Sequence, residues 1–241
     1  MNKEYTYIYM VLDESGSMST RRADVIGSVN SFIKKHKEIP GKADITIRTF
    51  NDKHNIILNN KDLYSTGDLH ENSYYPMGST ALYDAIGLGI DTLGGILREK
   101  NPKDRPDKVI FIIQTDGEEN SSVVYKLQDI KEKIQHQTSK YNWEFVFVGV
   151  TSESVLNAQD MGIPKDNTMA YINSSKGTQQ TFDSLASNSV CYRSSGVASM
   201  AFTQKDRDAQ TDSTVPGEIQ SNSPNIISNI NKLFEINQIV P

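Results

Sequence analysis

Between Tyr5 and Leu12 the chain reads YTYIYMVL, aromatic, β-branched and aliphatic with little polarity. A short, continuously apolar run predicts a central strand covered on both faces. From Arg22 to Lys37 the pattern changes. Val25, Ile26, Val29, Phe32 and Ile33 recur at helical spacing, and "IPGK" closes that helix. Ala43 to Phe50 (ADITIRTF) alternates as a strand, and "HNIILN" reads as its hairpin partner across a turn holding Asp52. Ser79 to Arg98 predicts a second helix. Its interior Gly87, Gly89 and Gly94 cost propensity, so close packing on a sheet is expected there.

Lys108 to Gln114 (KVIFIIQ) predicts another buried strand, Val123 to Ser139 a helix, and Trp143 to Val150 (WEFVFVGV) a further strand. A short helix over Ser152 to Met161 and a short strand over Thr168 to Ile172 follow. Gln179 to Ala201 is expected to be helical at least in part. Continuously apolar strands alternating with helices predict an α/β fold. The expected architecture is a Rossmann-like, doubly wound, mostly parallel sheet with one antiparallel edge strand and helices on both faces. Ligands in such sheets bind beyond the carboxyl ends of the strands, where the strand order switches. Asp13 follows the first strand and Asp116 follows KVIFIIQ, so both are expected in one crevice.

Composition narrows the possibilities. The 241 residues hold 25 Lys and Arg against 30 Asp and Glu, a formal charge of −5. That balance argues against a nucleic-acid binder, which normally carries a basic face. A single cysteine, Cys191, rules out an internal disulfide and fits a reducing compartment; it is read as a small buried hydrophobe. The first ten residues, MNKEYTYIYM, lack the pattern of a signal peptide. No run approaches the roughly 18 apolar residues of a membrane span. The expectation is a soluble, cytoplasmic protein that does not engage a membrane.

The candidate chemistry lies at the strand ends. Asp13, Ser15 and Ser17 place oxygens at every second position of one loop. Gly78-Ser79-Thr80 leads into the second helix, and TDGEEN (Thr115 to Asn120) leaves a buried strand. Together they offer two carboxylates and three hydroxyls without histidine or thiolate. All-oxygen donors suit hard cations. Asp13-Glu14-Ser15-Gly16-Ser17 resembles the D-x-S-x-S of the von Willebrand factor type A (vWA) domain. Thr80 in GSTALYDAI and Asp116 in TDGEEN match its middle threonine and final aspartate. The resemblance covers roughly Tyr5 to Ala201. It implies a metal-ion-dependent adhesion site made of Asp13, Ser15, Ser17, Thr80 and Asp116. The resemblance further implies that Ser15 and Ser17 bind the metal directly and that Thr80 does so when ligand is engaged. It also implies that Asp13 and Asp116 act largely through water. The cation would be Mg²⁺, or Mn²⁺ or Ca²⁺, and a protein partner would supply an Asp or Glu to its open position.

Other chemistry finds less support. A haloacid dehalogenase-like phosphotransferase wants a second aspartate where Ser15 stands. No nucleophile elbow G-x-S-x-G and no phosphate-binding G-x-x-x-x-G-K-[ST] occurs. His36, His54, His70 and His136 lack zinc spacing. Glu118 and Glu119 read as surface charges. Tyr74, Tyr75 and Met77 either rim the site or pack beneath its loop. The expected function is therefore metal-dependent protein binding without catalysis. An assembly scaffold with a structural metal is the alternative, and a metal-dependent hydrolase a more distant one. The domain is expected over 1–203 and a polar linker over 204–222. Residues 223–241 are expected to form an amphipathic helix, with Ile226, Ile227, Ile230, Leu233 and Phe234 on one stripe. That stripe is expected to dock on the chain's own domain, with self-association through a second copy as the alternative.

Overall fold

The computed structural model describes residues 4–195 and 199–210. Six strands form one sheet in the order β3-β2-β1-β4-β5-β6. They are β1 (Tyr5–Asp13), β2 (Lys42–Phe50), β3 (His54–Asp62), β4 (Lys108–Thr115), β5 (Trp143–Gly149) and β6 (Thr168–Ala170). Every pairing is parallel except that of β2 with β3, the antiparallel edge. The expected fold class is thus the observed one.

All nine residues of β1 are buried, because each face of the strand meets a different core. Ile8, Met10 and Leu12 face α1 (Arg22–Lys37) and α5 (Ser175–Ser195), while Tyr7, Tyr9 and Val11 face α2 (Leu82–Glu99) and α3 (Leu127–Tyr141). Two-sided burial explains the absence of alternation in YTYIYMVL. The chain runs outward from β1 to β2 on one side and to β4 on the other. The order therefore switches at the carboxyl end of β1, where open α/β sheets bind ligands.

Two helices start later than their sequence pattern suggests, α2 at Leu82 rather than Ser79 and α3 at Leu127 rather than Val123. In both cases the preceding N–H groups are held by groups near the candidate site. The helix expected over Gln179 to Ala201 begins earlier, at Ser175, and ends at Ser195. The segment read as a polar linker opens instead with α6 (Gln204–Asp208), following α4 (Ser152–Asp160) and α5 in chain order. A capping box between Thr203 and Asp206 starts α6, and Arg207 Nη1 donates to the Thr168 carbonyl at 2.9 Å. Cys191 is exposed rather than buried, since it lies off the inward stripe of α5 that carries Leu185, Ser189 and Tyr192. The amphipathic helix expected over 223–241, and the linker beyond residue 210, lie outside the described residues. No described helix is long and apolar enough to cross a membrane.

Candidate metal centre

Asp13 is the last residue of β1, and the chain turns away from the sheet immediately after it. Glu14 N–H still donates to Phe50 O of β2 at 2.7 Å, so the loop begins from a fixed point. The Asp13 side chain is fully buried. Its Oδ1 accepts from Ser15 N–H at 2.7 Å, and its Oδ2 accepts from Thr115 Oγ1 at the end of β4. Burial pushes the Asp13 carboxyl above its ordinary range. The nearby Asp116 charge pushes the same way, against the hydrogen bonds from Thr115 and Ser15.

Residues 74–80 are laced onto this loop. Gly16 N–H donates to Gly78 O at 3.1 Å and Met77 N–H to Glu14 O at 2.9 Å. Tyr75 N–H donates to the buried Glu14 carboxylate, and the Tyr74 hydroxyl to the Asp13 carbonyl. Gly78 has φ +75°, a left-handed conformation that favours glycine, and a Cβ there would fall 2.3 Å from Asp52 Oδ1. Thr80 N–H donates to Asn120 Oδ1 at 2.9 Å, Asn120 N–H returns a bond to Thr80 O at 3.0 Å, and Ala81 N–H donates to Asn51 O. This is why α2 starts only at Leu82. Its N-cap is Ala81, without a side-chain bond, so Thr80 is not the cap.

The third segment closes the cluster. Ser17 Oγ donates to Asp116 Oδ1 at 2.6 Å, and Ser15 and Ser17 hydroxyl oxygens lie 3.0 Å apart. With the Ser17 proton given to Asp116, Ser15 is the donor of that pair. A side chain on Gly117 would meet Thr80 Oγ1 at 3.4 Å and Asp13 Oδ2 at 4.0 Å, so that hydroxyl and that carboxylate face the same small gap. The five sequence-predicted residues thus converge from three segments. Among the described residues no group of three or more His, Cys, Asp or Glu converges to hold a metal. The cluster offers two carboxylates and three hydroxyls, a donor set of hard-cation type.

A family model for the von Willebrand factor type A domain matches residues 8–186. The chain belongs to that family. No curated protein matches it in sequence. Among solved structures, the pilus adhesin SpaC of Lactobacillus rhamnosus GG in its open conformation superposes with a TM-score of 0.59 at 13% identity. That match covers 80% of this chain and 31% of the adhesin. Proximal thread matrix protein 1 of the mussel byssus, with a zinc-occupied MIDAS motif, superposes at 0.54 with 18% identity. It covers 77% of this chain and 46% of that one. The chain therefore spans less than half the length of either structure, and at these identities the likeness shows the fold alone. vWA domains are often metal-dependent protein-interaction modules.

Some groups that shape this vWA centre were missed or read differently in the sequence. Asp84 is buried in the first turn of α2 and accepts from the N–H groups of Val123, Val124 and Tyr125 at 2.8, 2.9 and 2.7 Å. Those bonds hold the segment after Asp116 as a loop and delay α3. Glu119, expected to be a surface charge, instead accepts from Ser121 N–H, Ser122 N–H and Tyr83 N–H. Glu118 is exposed, as expected. The alternatives for Tyr74, Tyr75 and Met77 divide: Tyr74 packs beneath the loop, while Tyr75 and Met77 stand exposed. His36 lies in the core between α1 and α5, and His70 accepts Asn72 N–H in a short turn.

Proposed function

We propose that this chain is a divalent-cation-dependent protein-binding module, without catalysis of its own, that engages an acidic residue of a partner. The supporting observation is the convergence of Asp13, Ser15, Ser17 and Asp116 in one bonded chain, with Thr80 Oγ1 facing the same gap. A carboxylate pushed above its ordinary range by burial and by a second carboxylate is an arrangement that a cation relieves. The residues that would hold the cation are Ser15, Ser17 and Thr80, with Asp13 and Asp116 close by. Mg²⁺ is the expected ion because hydroxyl and carboxylate donors suit it and it retains open positions, with Mn²⁺ or Ca²⁺ as substitutes. When bound, it supplies a positive charge and a coordination position for a partner's carboxylate.

Calorimetric titration with Mg²⁺ and Mn²⁺ tests this reading. One site is expected, and it should disappear in an Asp13→Ala, Ser15→Ala double variant that keeps the wild-type circular dichroism. Undiminished binding in that variant overturns the assignment. A pull-down with and without Mg²⁺ separates a binding module from a scaffold with a structural ion. Partner capture that persists in EDTA assigns the ion a structural role.

A further inference from the structure

Five of the nine large apolar side chains that stand exposed among the described residues lie on the two segments flanking this centre. Tyr75 and Met77 stand on the segment before Thr80, and Val123, Val124 and Leu127 on the segment after Asp116. Met77 is 61% exposed and Val123 89%. Neither segment is loosely held. Tyr75 and Met77 are fixed through their N–H groups to Glu14, and Val123 and Val124 through theirs to the buried Asp84 carboxylate. The Tyr75 ring is further set by the Arg22 guanidinium, 4.6 Å from its centroid. Apolar side chains held outward on a rigid frame bind without an ordering cost of their own. Exposed apolar side chains thus stand on both of the anchored segments that adjoin the centre along the chain, an arrangement that suits a carboxylate with large apolar neighbours on both sides in sequence.

The chain itself contains such a segment. Three carboxylates follow Gln210: Asp212, Glu218 and Glu235. Asp212 lies between Thr211 and Ser213, and Glu218 follows Gly217. Glu235 alone has large apolar residues on both sides, in Leu233-Phe234-Glu235-Ile236. The described chain also ends on the right edge of the sheet. Gln210 is buried and accepts Ile172 N–H at 3.3 Å, just past the carboxyl end of β6. Next to Ile172, Tyr171 accepts from Gln114 Nε2 at 3.1 Å near the end of β4. Glu235 lies 25 residues beyond Gln210, and a random coil of that length has a root-mean-square span of roughly 25–30 Å, enough to cross the top of a domain this size.

Resting on the metal-dependent reading above, we propose that Leu233-Phe234-Glu235-Ile236 occupies the centre of its own chain, with Glu235 as the carboxylate and its apolar neighbours on the Tyr75/Met77 and Val123/Val124 rims. The tethered segment acts at an effective concentration on the order of 1 mM, so any external acidic partner must compete with it.

The test uses the full chain and, as probe, a fluorescent peptide of residues 229–240. In Mg²⁺, a Glu235→Gln chain should bind the probe at least tenfold more tightly than wild type. Adding Met77→Ser and Val123→Ser to Glu235→Gln should reverse that gain with Mg²⁺ affinity unchanged. Equal probe affinity in wild type and Glu235→Gln overturns the proposal. So does a wild-type dimer that Glu235→Gln dissolves on size-exclusion chromatography, because the segment then serves a second copy. Mg²⁺ calorimetry on the Glu235→Gln chain separates the two readings. Absence of Mg²⁺ binding sinks the metal centre itself, whereas normal Mg²⁺ binding with no probe binding sinks only the self-occupied form.

Discussion

Held between Ser15 and Thr115 and facing the charge of Asp116, Asp13 is a buried carboxyl whose affinity for a proton is raised. Without a cation the folded chain holds that proton more tightly than the unfolded one. The resulting stabilisation is complete below the unfolded value of about 3.9 and fades as pH rises through the folded value. A bound cation favours the ionised form and so reverses the slope. The rise in melting temperature caused by Mg²⁺ should therefore be larger at about pH 7.5 than at about pH 5, read by calorimetry. Asp13→Asn should abolish the Mg²⁺ increment without lowering the metal-free melting temperature at neutral pH. Thr80→Ala separates binding from folding. Since Ala81 is the N-cap of α2, the variant should lose less than about 1 kcal/mol of stability in urea. Its affinity for an acidic peptide in Mg²⁺ should fall at least tenfold, about 1.4 kcal/mol. Asp13, Ser15, Ser17, Thr80 and Asp116 could be named as candidates because D-x-S-x-S, GST and TDG follow predicted strand ends or open a predicted helix, and because they match the vWA pattern. Asp84 and Glu119 could not, because nothing local in their segments announces that their carboxylates accept backbone N–H groups from a distant loop.

At the scale of elements, strands were read more accurately than helix starts. Continuous apolar runs set β1, β4 and β5 almost to the residue. The starts of α2 and α3 depend on where Asn120, Asn51 and Asp84 capture backbone groups, and helical periodicity carries no record of that. The glycines of α2 show the same division. A Cβ on Gly89 would approach Phe111 Cζ at 2.9 Å and Tyr9 Cε1 at 3.0 Å, two stacked rings of the sheet. Gly87 is covered by the Tyr125 ring. Gly94 would meet only Gln137 Nε2 at 3.6 Å, and Gly95 meets nothing within 4 Å. Packing on the sheet thus explains Gly89 alone of the three glycines singled out in the sequence, while Gly87 makes room for Tyr125 of the segment before α3. Gly95→Ala should stabilise the chain by about 0.5–1 kcal/mol through helix propensity alone. Gly89→Ala gains the same propensity but overpacks the sheet, a cost of about 1–3 kcal/mol, so a net loss is expected. Urea denaturation of the two variants side by side checks the contrast.

Across the whole molecule, α5 covers the face of the sheet opposite α2, and its junction with α1 is a buried polar bridge. Arg193 Nη1 donates to His36 Nδ1 at 2.8 Å and to the His36 carbonyl at 3.1 Å. A guanidinium only donates, so His36 Nδ1 accepts, and its Nε2–H donates to Ser189 Oγ at 2.7 Å. That arrangement requires a neutral imidazole. Burial holds its proton affinity well below the ordinary value, and the Arg193 charge acts in the same direction. Here the sign is opposite to that of Asp13. Below the unfolded value of about 6.5 the unfolded chain takes up a proton that the folded one refuses, so stability falls as pH falls. The limiting slope is about 1.4 kcal/mol per pH unit. His36→Gln removes this titration, so the stability of wild type relative to the variant should drop between about pH 7.5 and pH 5.5. Taking the difference between the two chains in urea cancels the carboxylates they share. A difference that stays flat over that range would mean that His36 accepts the proton when folded, and the bridge from Arg193 would then have to be drawn differently.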